Sequence, residues 1–180
     1  MAHITVSVEY GIHCLLWFVD NPERSLSSRE LAELQGISPS FLAKILPRLE
    51  KAGIVSSNEG IRGGYRLALP PEKITFLSII DAIEGYKPLF ECQEIRRRCA
   101  VFEENGLPQW AISGTCSVHK VILQAENAMR DVLANQTLAD VAQRLCQIAP
   151  NSFYRDVNSW MDQKIEARTV RSSKGGRGKT

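Results

Sequence analysis

Three of the five cysteines in this 180-residue chain lie close together in the sequence. Six residues separate Cys92 from Cys99, and Cys116 follows after sixteen more, just before His119. Iron–sulfur clusters are held by cysteine thiolates, and the positive charge of Arg96 to Arg98 favours the thiolate form. The spacing therefore predicts a cluster site with Cys92, Cys99 and Cys116 as metal ligands and His119 as a candidate further ligand.

A glutamate and a histidine lie close together near the start of the chain. Glu9 and His13 are four residues apart, so on a helix they share one face. A solvated pair on the helix surface explains Glu9 and His13 as well as a metal-binding role does. An ordinary position in the first turn of a helix explains His119 equally well. Structural zinc is less well supported, because the two short Cys-x-x-Cys pairs typical of it are missing. Cys14 and Cys146 lie among apolar helical residues, which predicts small core side chains.

The composition limits which partners are expected. A formal net charge of +2 means that any nucleic-acid contact must come from local placement of Lys and Arg. No secretory signal or membrane-length apolar run is apparent, so we expect a cytoplasmic protein with reduced thiols. A chain of this length can bury one core, or a small domain plus an oligomerisation element.

The first part of the chain predicts a helix-turn-helix. Apolar residues at helical spacing indicate a helix over Val6–Val19, ended by Asp20-Asn21-Pro22. Ser27 or Ser28 can cap a short second helix that ends at Gly36. A third begins after Ser38, with Pro39 in its first turn, and runs toward Gly53.

A β-hairpin and four further helices follow. Two short apolar segments around Gly60, Gly63 and Gly64 predict a wing, and Thr75 can cap a helix reaching Gly85. Helical spacing returns over Ser117–Leu133, after Thr137 and after Asn151. The predicted organisation is a DNA-binding domain (1–85), a cysteine loop (86–116), dimerisation and C-terminal helices (117–166) and a disordered basic tail (167–180).

A helix-turn-helix places its second helix in the major groove, so polar side chains on that helix are candidate DNA contacts. A wing arginine between glycines can enter the adjacent minor groove. The alternative is that these are ordinary solvated charges. The predicted DNA-binding residues are Ser28, Arg29, Ser38, Ser40, Lys44, Arg48, Arg62, Gly63 and Tyr65.

Together these segments resemble the winged-helix domain of the Rrf2 family of bacterial transcription regulators. The matching stretches are Tyr10-Gly11-Ile12, Ile37 to Leu46, Leu49 to Ser57, Gly63 to Ala68, Ile74-Thr75 and Ala82 to Gly85. The resemblance implies a mainly α fold: a winged helix-turn-helix DNA-binding domain plus a long dimerisation helix. It also implies a homodimer on a palindromic operator of double-stranded DNA.

Three residues depart from the family pattern. Pro47 lies inside the third helix, where it removes a hydrogen bond to Ala43 and is expected to kink or shorten the helix. Position 43 itself is acidic in a cluster-sensing member. Glu59 replaces the arginine that often precedes the first wing glycine, so Arg62 is expected to serve instead.

The cysteine segment resembles the cluster loop of iron–sulfur members of the same family. Its Cys116-Ser117-Val118-His119 step is similar to the third cysteine and the histidine ligand of one member. In other members an acidic residue just before the helix-one aromatic completes the cluster from the partner subunit, as Glu9 precedes Tyr10. In a redox-sensing member a Glu and a His at the spacing of Glu9 and His13 do so. The implied cofactor is a 2Fe–2S or 4Fe–4S cluster.

Four functions remain open on the sequence. The leading expectation is a transcription regulator, not an enzyme, whose DNA affinity depends on an Fe–S cluster that senses redox state, nitric oxide or iron. The second keeps DNA binding but uses a metal-free thiol–disulfide switch. A thiol enzyme with Cys116 as nucleophile and His119 as base lacks a recognisable orienting carboxylate. A scaffold module would show no salt-sensitive DNA binding.

Overall fold

The computed structural model describes residues 4–60, 63–102 and 106–175. The chain divides into two compact units, of which one contains Ile4–Gly85 together with the residues from Ala134 onward. The other contains Tyr86–Leu133. The first segment of the winged-helix unit ends at Gly85, and the residues after position 133 lie in the same unit.

Three helices open the first unit, and each has a local cause. Helix α1 (Val6–Leu16) is shorter than predicted and follows the Thr5 cap. Helix α2 (Ser28–Gln35) starts with a capping box between Ser27 and Glu30 and ends at Gly36 in the left-handed region. Helix α3 (Pro39–Lys51) continues through Pro47 for another turn, so the proline does not shorten it.

The predicted wing is a two-stranded antiparallel hairpin. Strand β1 (Val55–Asn58) pairs with β2 (Gly64–Leu67), with Val55 opposite Leu67. Tyr65 also bridges to Leu26, which ties the hairpin to the residues before α2. Gly64 has φ of 143°, and a Cβ there would lie 2.5 Å from the Leu26 carbonyl carbon. Only glycine allows this approach.

Helices α4 and α7 complete the packing of this unit. Helix α4 (Phe76–Glu84) begins at the predicted Thr75 cap, and α7 (Leu138–Ile148) begins at the predicted capping box of Thr137 and Asp140. The Leu138 amide donates to the Ile74 carbonyl at 2.9 Å. The core is apolar and comes from α1 to α4, the hairpin, α7 and the last helix; its largest fully buried side chains are Phe18, Leu15, Leu26, Leu31, Leu42, Leu46, Leu49, Ile74, Ile79, Ile83, Leu138 and Met161.

The last helix corrects the predicted tail. Helix α8 runs over Asn151–Gly175, so residues 167–175 are helical instead of disordered, and 176–180 lie outside the described residues. The reason is that Arg168 has partners on other elements. Its Nε lies 3.0 Å from Glu30 Oε1, and its Nη2 donates to the Ser25 carbonyl at 2.9 Å. These contacts are nonlocal, and composition does not reveal them.

The second unit contains the cysteine segment and the long helix. Two single turns of 3-10 helix, Ile95–Arg98 and Ala100–Phe102, and the short α5 (Gln109–Ile112) precede α6 (Ser117–Ala134). Within the residues the structure describes, no helix is long and apolar enough to cross a membrane.

Candidate thiol site and nucleic-acid interface

Two of the three loop cysteines lie on one cavity. Cys92 and Cys116 line it together with Phe90, Glu94 and Arg96. Both side chains are half-buried. The fold therefore joins two thiols that are 24 positions apart in the chain.

Cys116 lies where a helix stabilises a thiolate. It immediately precedes α6, and the backbone N–H groups of His119 and then Val118 donate to its sulfur. With smaller contributions from the Cys92 thiol and the Arg96 charge, these bonds lower the pKa of Cys116 below the ordinary cysteine value. Amide donors and the positive end of a helix dipole both favour the charged form.

Arg96 joins the two parts of the chain that carry these cysteines. Its Nε donates to Glu94 Oε2 at 2.8 Å, while Nη1 and Nη2 donate to the carbonyls of Ser113 and Gly114 at 3.3 and 2.5 Å. Glu94 is held at a positive φ of 51°, and its carboxylate lies 3.9 Å from the Cys92 sulfur. The hydrogen bond from Arg96 lowers the pKa of Glu94.

A buried carboxylate anchors the start of the loop on α6. Glu126 is 5 % exposed and accepts from the Tyr86 hydroxyl at 2.9 Å and from the Leu89 amide at 3.1 Å. Arg130 lies over the Tyr86 ring at 5.0 Å. Sequence reasoning did not find Glu126, Glu94 or the role of Arg96, since their partners are distant in sequence.

The structure does not gather the complete predicted ligand set. Cys99 is exposed at the end of a 3-10 turn, and His119 packs edge-on against Phe90 with ring centroids 5.8 Å apart. Among the described residues, no group of three or more His, Cys, Asp or Glu side chains is arranged to hold a metal ion. The predicted trio of Cys92, Cys99 and Cys116 is therefore reduced to a pair in this structure.

The remaining candidates lie on helices of the other unit. Glu9 and His13 are exposed on α1, one turn apart as predicted. Cys14 is buried, and loss of solvation raises its pKa to about 12, which confirms its core role. Cys146 is exposed on α7, so its predicted core role is wrong. Cys146 and Tyr154, which lies on the following helix, line one cavity.

Some of the residues predicted to contact DNA are exposed, and others are partly or fully buried. Arg29 is exposed in the first turn of α2, and Lys44 is exposed on α3. Ser38 and Ser40 are also exposed, with their hydroxyl oxygens 2.8 Å apart. Ser28 and Tyr65 are half-buried and Gly63 is buried.

Arg48 has a structural partner. Its Nη1 donates to the Ile83 carbonyl at 2.6 Å, near the end of α4. Arg62, the predicted minor-groove residue, lies outside the described residues.

Comparison with known proteins shows which family the chain matches. A match to the Rrf2 family, described as iron-dependent transcriptional regulators, spans residues 4–144. Protein rrf2 of Nitratidesulfovibrio vulgaris is 30% identical over 157 residues, covering 83% of this chain and 97% of that protein. A helix-turn-helix-type transcriptional regulator of Aquifex aeolicus is 29% identical over 75% of this chain and 88% of its own length.

Solved structures show the same fold. CymR, the global cysteine regulator of B. subtilis, aligns with a TM-score of 0.61 at 23% identity, covering 80% of this chain and 98% of CymR. IscR of T. potens aligns with a TM-score of 0.59 at 26% identity, covering 84% and 96%. The expected mainly α, winged-helix fold is thereby confirmed.

Proposed function

This chain belongs to the Rrf2 family of transcriptional regulators, and from that premise we propose that it is a homodimeric DNA-binding regulator whose DNA affinity is set by an Fe–S cluster at Cys92 and Cys116. The observation that supports this most is that both cysteines line one cavity beside Arg96. A pair of thiols, one of them stabilised as a thiolate, is the start of a metal site.

The two sulfurs fit such a cluster in part, because clusters generally take four protein ligands. Glu9 and His13 of a second copy are our proposed further ligands, since both are exposed on one face of α1 and match the family pattern. Mixed shells exist: Rieske 2Fe–2S centres replace two cysteines with two histidines. When bound, the cluster would supply one-electron redox chemistry and sensitivity to oxidants and nitric oxide.

The chain's own residues would adapt the site to this role. Arg96 places positive charge beside the sulfurs and ties residues 94–96 to Ser113 and Gly114. A change in the distance between Cys92 and Cys116 would therefore also move the residues between them, 93–115. We propose that this movement is transmitted through the dimer to the DNA-binding elements.

Dimerisation is proposed on α6. Its apolar side chains Val118, Val121 and Val132 are 63–65 % exposed in the single chain. Val121 follows Val118 by three residues and Val132 follows Val121 by eleven, about three helical turns, so the three side chains lie on one face of α6. Contact with DNA is assigned to Arg29 and Lys44 with the serines of α3, on a palindromic operator.

Anaerobic purification tests the cluster. We expect iron and acid-labile sulfide in the wild type, together with visible absorption, and their loss in Cys92→Ala and Cys116→Ala. Cys99→Ala is the matched control, and we expect it to keep its iron because Cys99 is exposed and is not among the residues that line the cavity. Wild-type protein without iron, or normal iron in both pair variants, contradicts the proposal.

The shared cavity of Cys92 and Cys116 also supports a second function, a metal-free switch. In it, Cys92 and Cys116 form a disulfide, giving up two protons and two electrons to a disulfide oxidant such as oxidised glutathione. Mass spectrometry after oxidation would then show the loss of two hydrogens and a Cys92–Cys116 cross-linked peptide. A colourless, iron-free protein that forms this bond and changes its DNA affinity favours the switch over the cluster.

A further inference from the structure

A mostly apolar cavity lies between α1, α7 and α8, within the unit that also contains the wing. Its volume is about 180 Å³. Close-packed protein interiors hold few voids larger than a water molecule, and an engineered apolar cavity of about 150 Å³ binds benzene. The cavity is therefore large enough for a molecule with a single aromatic ring. Cys92, Cys116 and the residues assigned to DNA contact do not line it.

The inner part of the cavity is apolar. Met161 of α8 is buried and belongs to the hydrophobic core, while Leu16, Trp17 and Val157 are half-buried walls. The indole Nε1 of Trp17 donates to Gln35 Oε1 at 2.8 Å, so this polar atom is satisfied and the ring is held in place. A flat apolar group placed between these side chains would leave water on most sides, which is favourable.

The rim of the cavity exposes further apolar area. Leu145 and Phe153 are large apolar side chains, yet they remain 40 and 43 % exposed. The rings of Phe153 and Trp17 have centroids 6.1 Å apart, so aromatic rings are present at both the wall and the rim. A molecule that fills the cavity would cover part of this area, and the aromatic rings also favour a cation.

The charge of the rim comes from Asp20, which is exposed and follows α1. Among the described lining residues it is the only Asp or Glu, and none is Lys or Arg. Tyr154 stays neutral, because loss of solvation, the neighbouring Cys146 and the Asp20 carboxylate raise its pKa to about 12. His13 also lines the cavity, and its imidazole can accept a hydrogen bond when neutral. An anionic ligand would meet the carboxylate, whereas an ammonium group would meet an opposite charge.

We propose that this cavity binds a small organic amine, with one aromatic ring between Trp17, Val157 and Met161 and a protonated amino group at the rim beside Asp20. The site is separate from the Fe–S cluster and the DNA contacts proposed above, so each proposal can fail alone. Because a ligand held here binds only the folded chain, it also raises the thermal midpoint of unfolding by mass action.

Titration calorimetry of the full, reduced chain with phenethylamine at neutral pH tests the site. We expect saturable binding of one molecule per chain. Phenethyl alcohol has the same ring without the charge and should bind about tenfold more weakly, since charge-assisted hydrogen bonds are the stronger ones. Phenylacetate, the matched anion, should show no saturable binding. Absence of amine binding, or equal affinity for the amine and the alcohol, would overturn the proposal.

The variant Asp20→Asn removes the charge with little change in shape. We expect its affinity for phenethylamine to fall about tenfold, to that for phenethyl alcohol, while its affinity for the alcohol stays unchanged. Asp156→Asn is the matched control, an exposed aspartate of α8 that does not line the cavity, and should bind the amine as the wild type does. Unchanged amine affinity in Asp20→Asn, or equal weakening in both variants, would refute the role of Asp20.

The location is tested by filling the cavity. Ala142 lines it from α7 and is half-buried, so a phenylalanine side chain there would occupy the ligand's space. We expect Ala142→Phe to bind neither the amine nor the alcohol and to unfold in one cooperative thermal transition; binding by this folded variant would contradict the location. In the wild type, NMR should show nuclear Overhauser effects between the phenethylamine ring and the Met161 methyl group. Effects to other surfaces without Met161 would place the ligand elsewhere.

Discussion

At the scale of single residues, placement decides the chemistry of each thiol. Cys14 and Cys116 are both cysteines of an apolar-rich, mainly helical chain, yet their pKa values move in opposite directions. Burial without a polar partner raises the pKa of Cys14 to about 12, which keeps it protonated and inert. Amide donors at the start of α6 lower the pKa of Cys116 and favour the reactive form.

The pH dependence of alkylation tests the Cys116 assignment in metal-free, reduced protein. The pKa of a free cysteine is about 8.5. Because the pKa of Cys116 is lowered, its thiolate forms at a lower pH than the thiolate of a free cysteine. We expect the iodoacetamide rate at Cys116, followed by peptide mass spectrometry, to reach its half-maximum below that of a cysteine peptide. Arg96→Ala should raise the pH at which the rate is half-maximal. A half-maximal pH for wild-type Cys116 at or above that of the cysteine peptide would be inconsistent with this environment.

Two cations on α3 are expected to differ in role. Lys44 is exposed, so Lys44→Ala should weaken DNA binding with or without metal, reduce the salt slope by about 1 and leave the melting temperature unchanged. Arg48 donates to the Ile83 carbonyl, so Arg48→Ala should also lower the free energy of unfolding by about 1 kcal/mol. Chemical denaturation and DNA titration of both variants measure this, and equal stabilities would refute the distinction.

At the scale of elements, α6 has two different faces. One anchors the cysteine loop through the buried Glu126, which accepts from Tyr86 and Leu89. The other carries exposed apolar side chains that a single chain leaves in water. In the function proposed above, one rigid helix would hold both the sensor loop and the subunit interface, and a change at the loop would reach the interface through it.

Charged substitutions on α6 test this interface. Val121 and Val132 are 63 and 65 % exposed, so Val121→Glu/Val132→Glu should leave the monomer folded while placing charge in the proposed contact. Sedimentation velocity is expected to show dimers for the wild type and monomers for the double variant. Val101→Glu, at a 70 % exposed position of the same unit, is the control. Dimers that persist in the double variant would place the interface elsewhere.

The elements also show what sequence reasoning can reach. Capping boxes and glycine caps depend on neighbours within four residues, which is why the starts of α2 and α7 follow from the sequence. The pairing of Cys92 with Cys116, without Cys99, depends on an irregular loop closed by Arg96 and Glu126. Helix α8 extends because Arg168 reaches Glu30 and two distant carbonyls. Neither the cysteine pairing nor the length of α8 leaves a periodic pattern in the sequence.

At the scale of the whole molecule, the chain joins a reader of DNA to a thiol site. The winged-helix unit follows closely from sequence, because its turns, caps and apolar stripes are locally encoded and resemble a known family. For the site, the sequence predicted Cys92, Cys99 and Cys116 as ligands but not which of them share a cavity, since ligand geometry is a property of the folded chain. The function proposed for the chain requires a coupling between the Cys92–Cys116 pair and DNA affinity.

That coupling is measured directly by anaerobic DNA titration of one preparation, before and after oxidation by nitric oxide or oxidised glutathione. We predict a shift in Kd of at least about tenfold, equivalent to about 1.4 kcal/mol. The shift should vanish in Cys92→Ala and in Cys116→Ala and persist in Cys99→Ala. An unchanged Kd in the wild type, or a shift that survives in both pair variants, would contradict control of DNA binding by these two thiols.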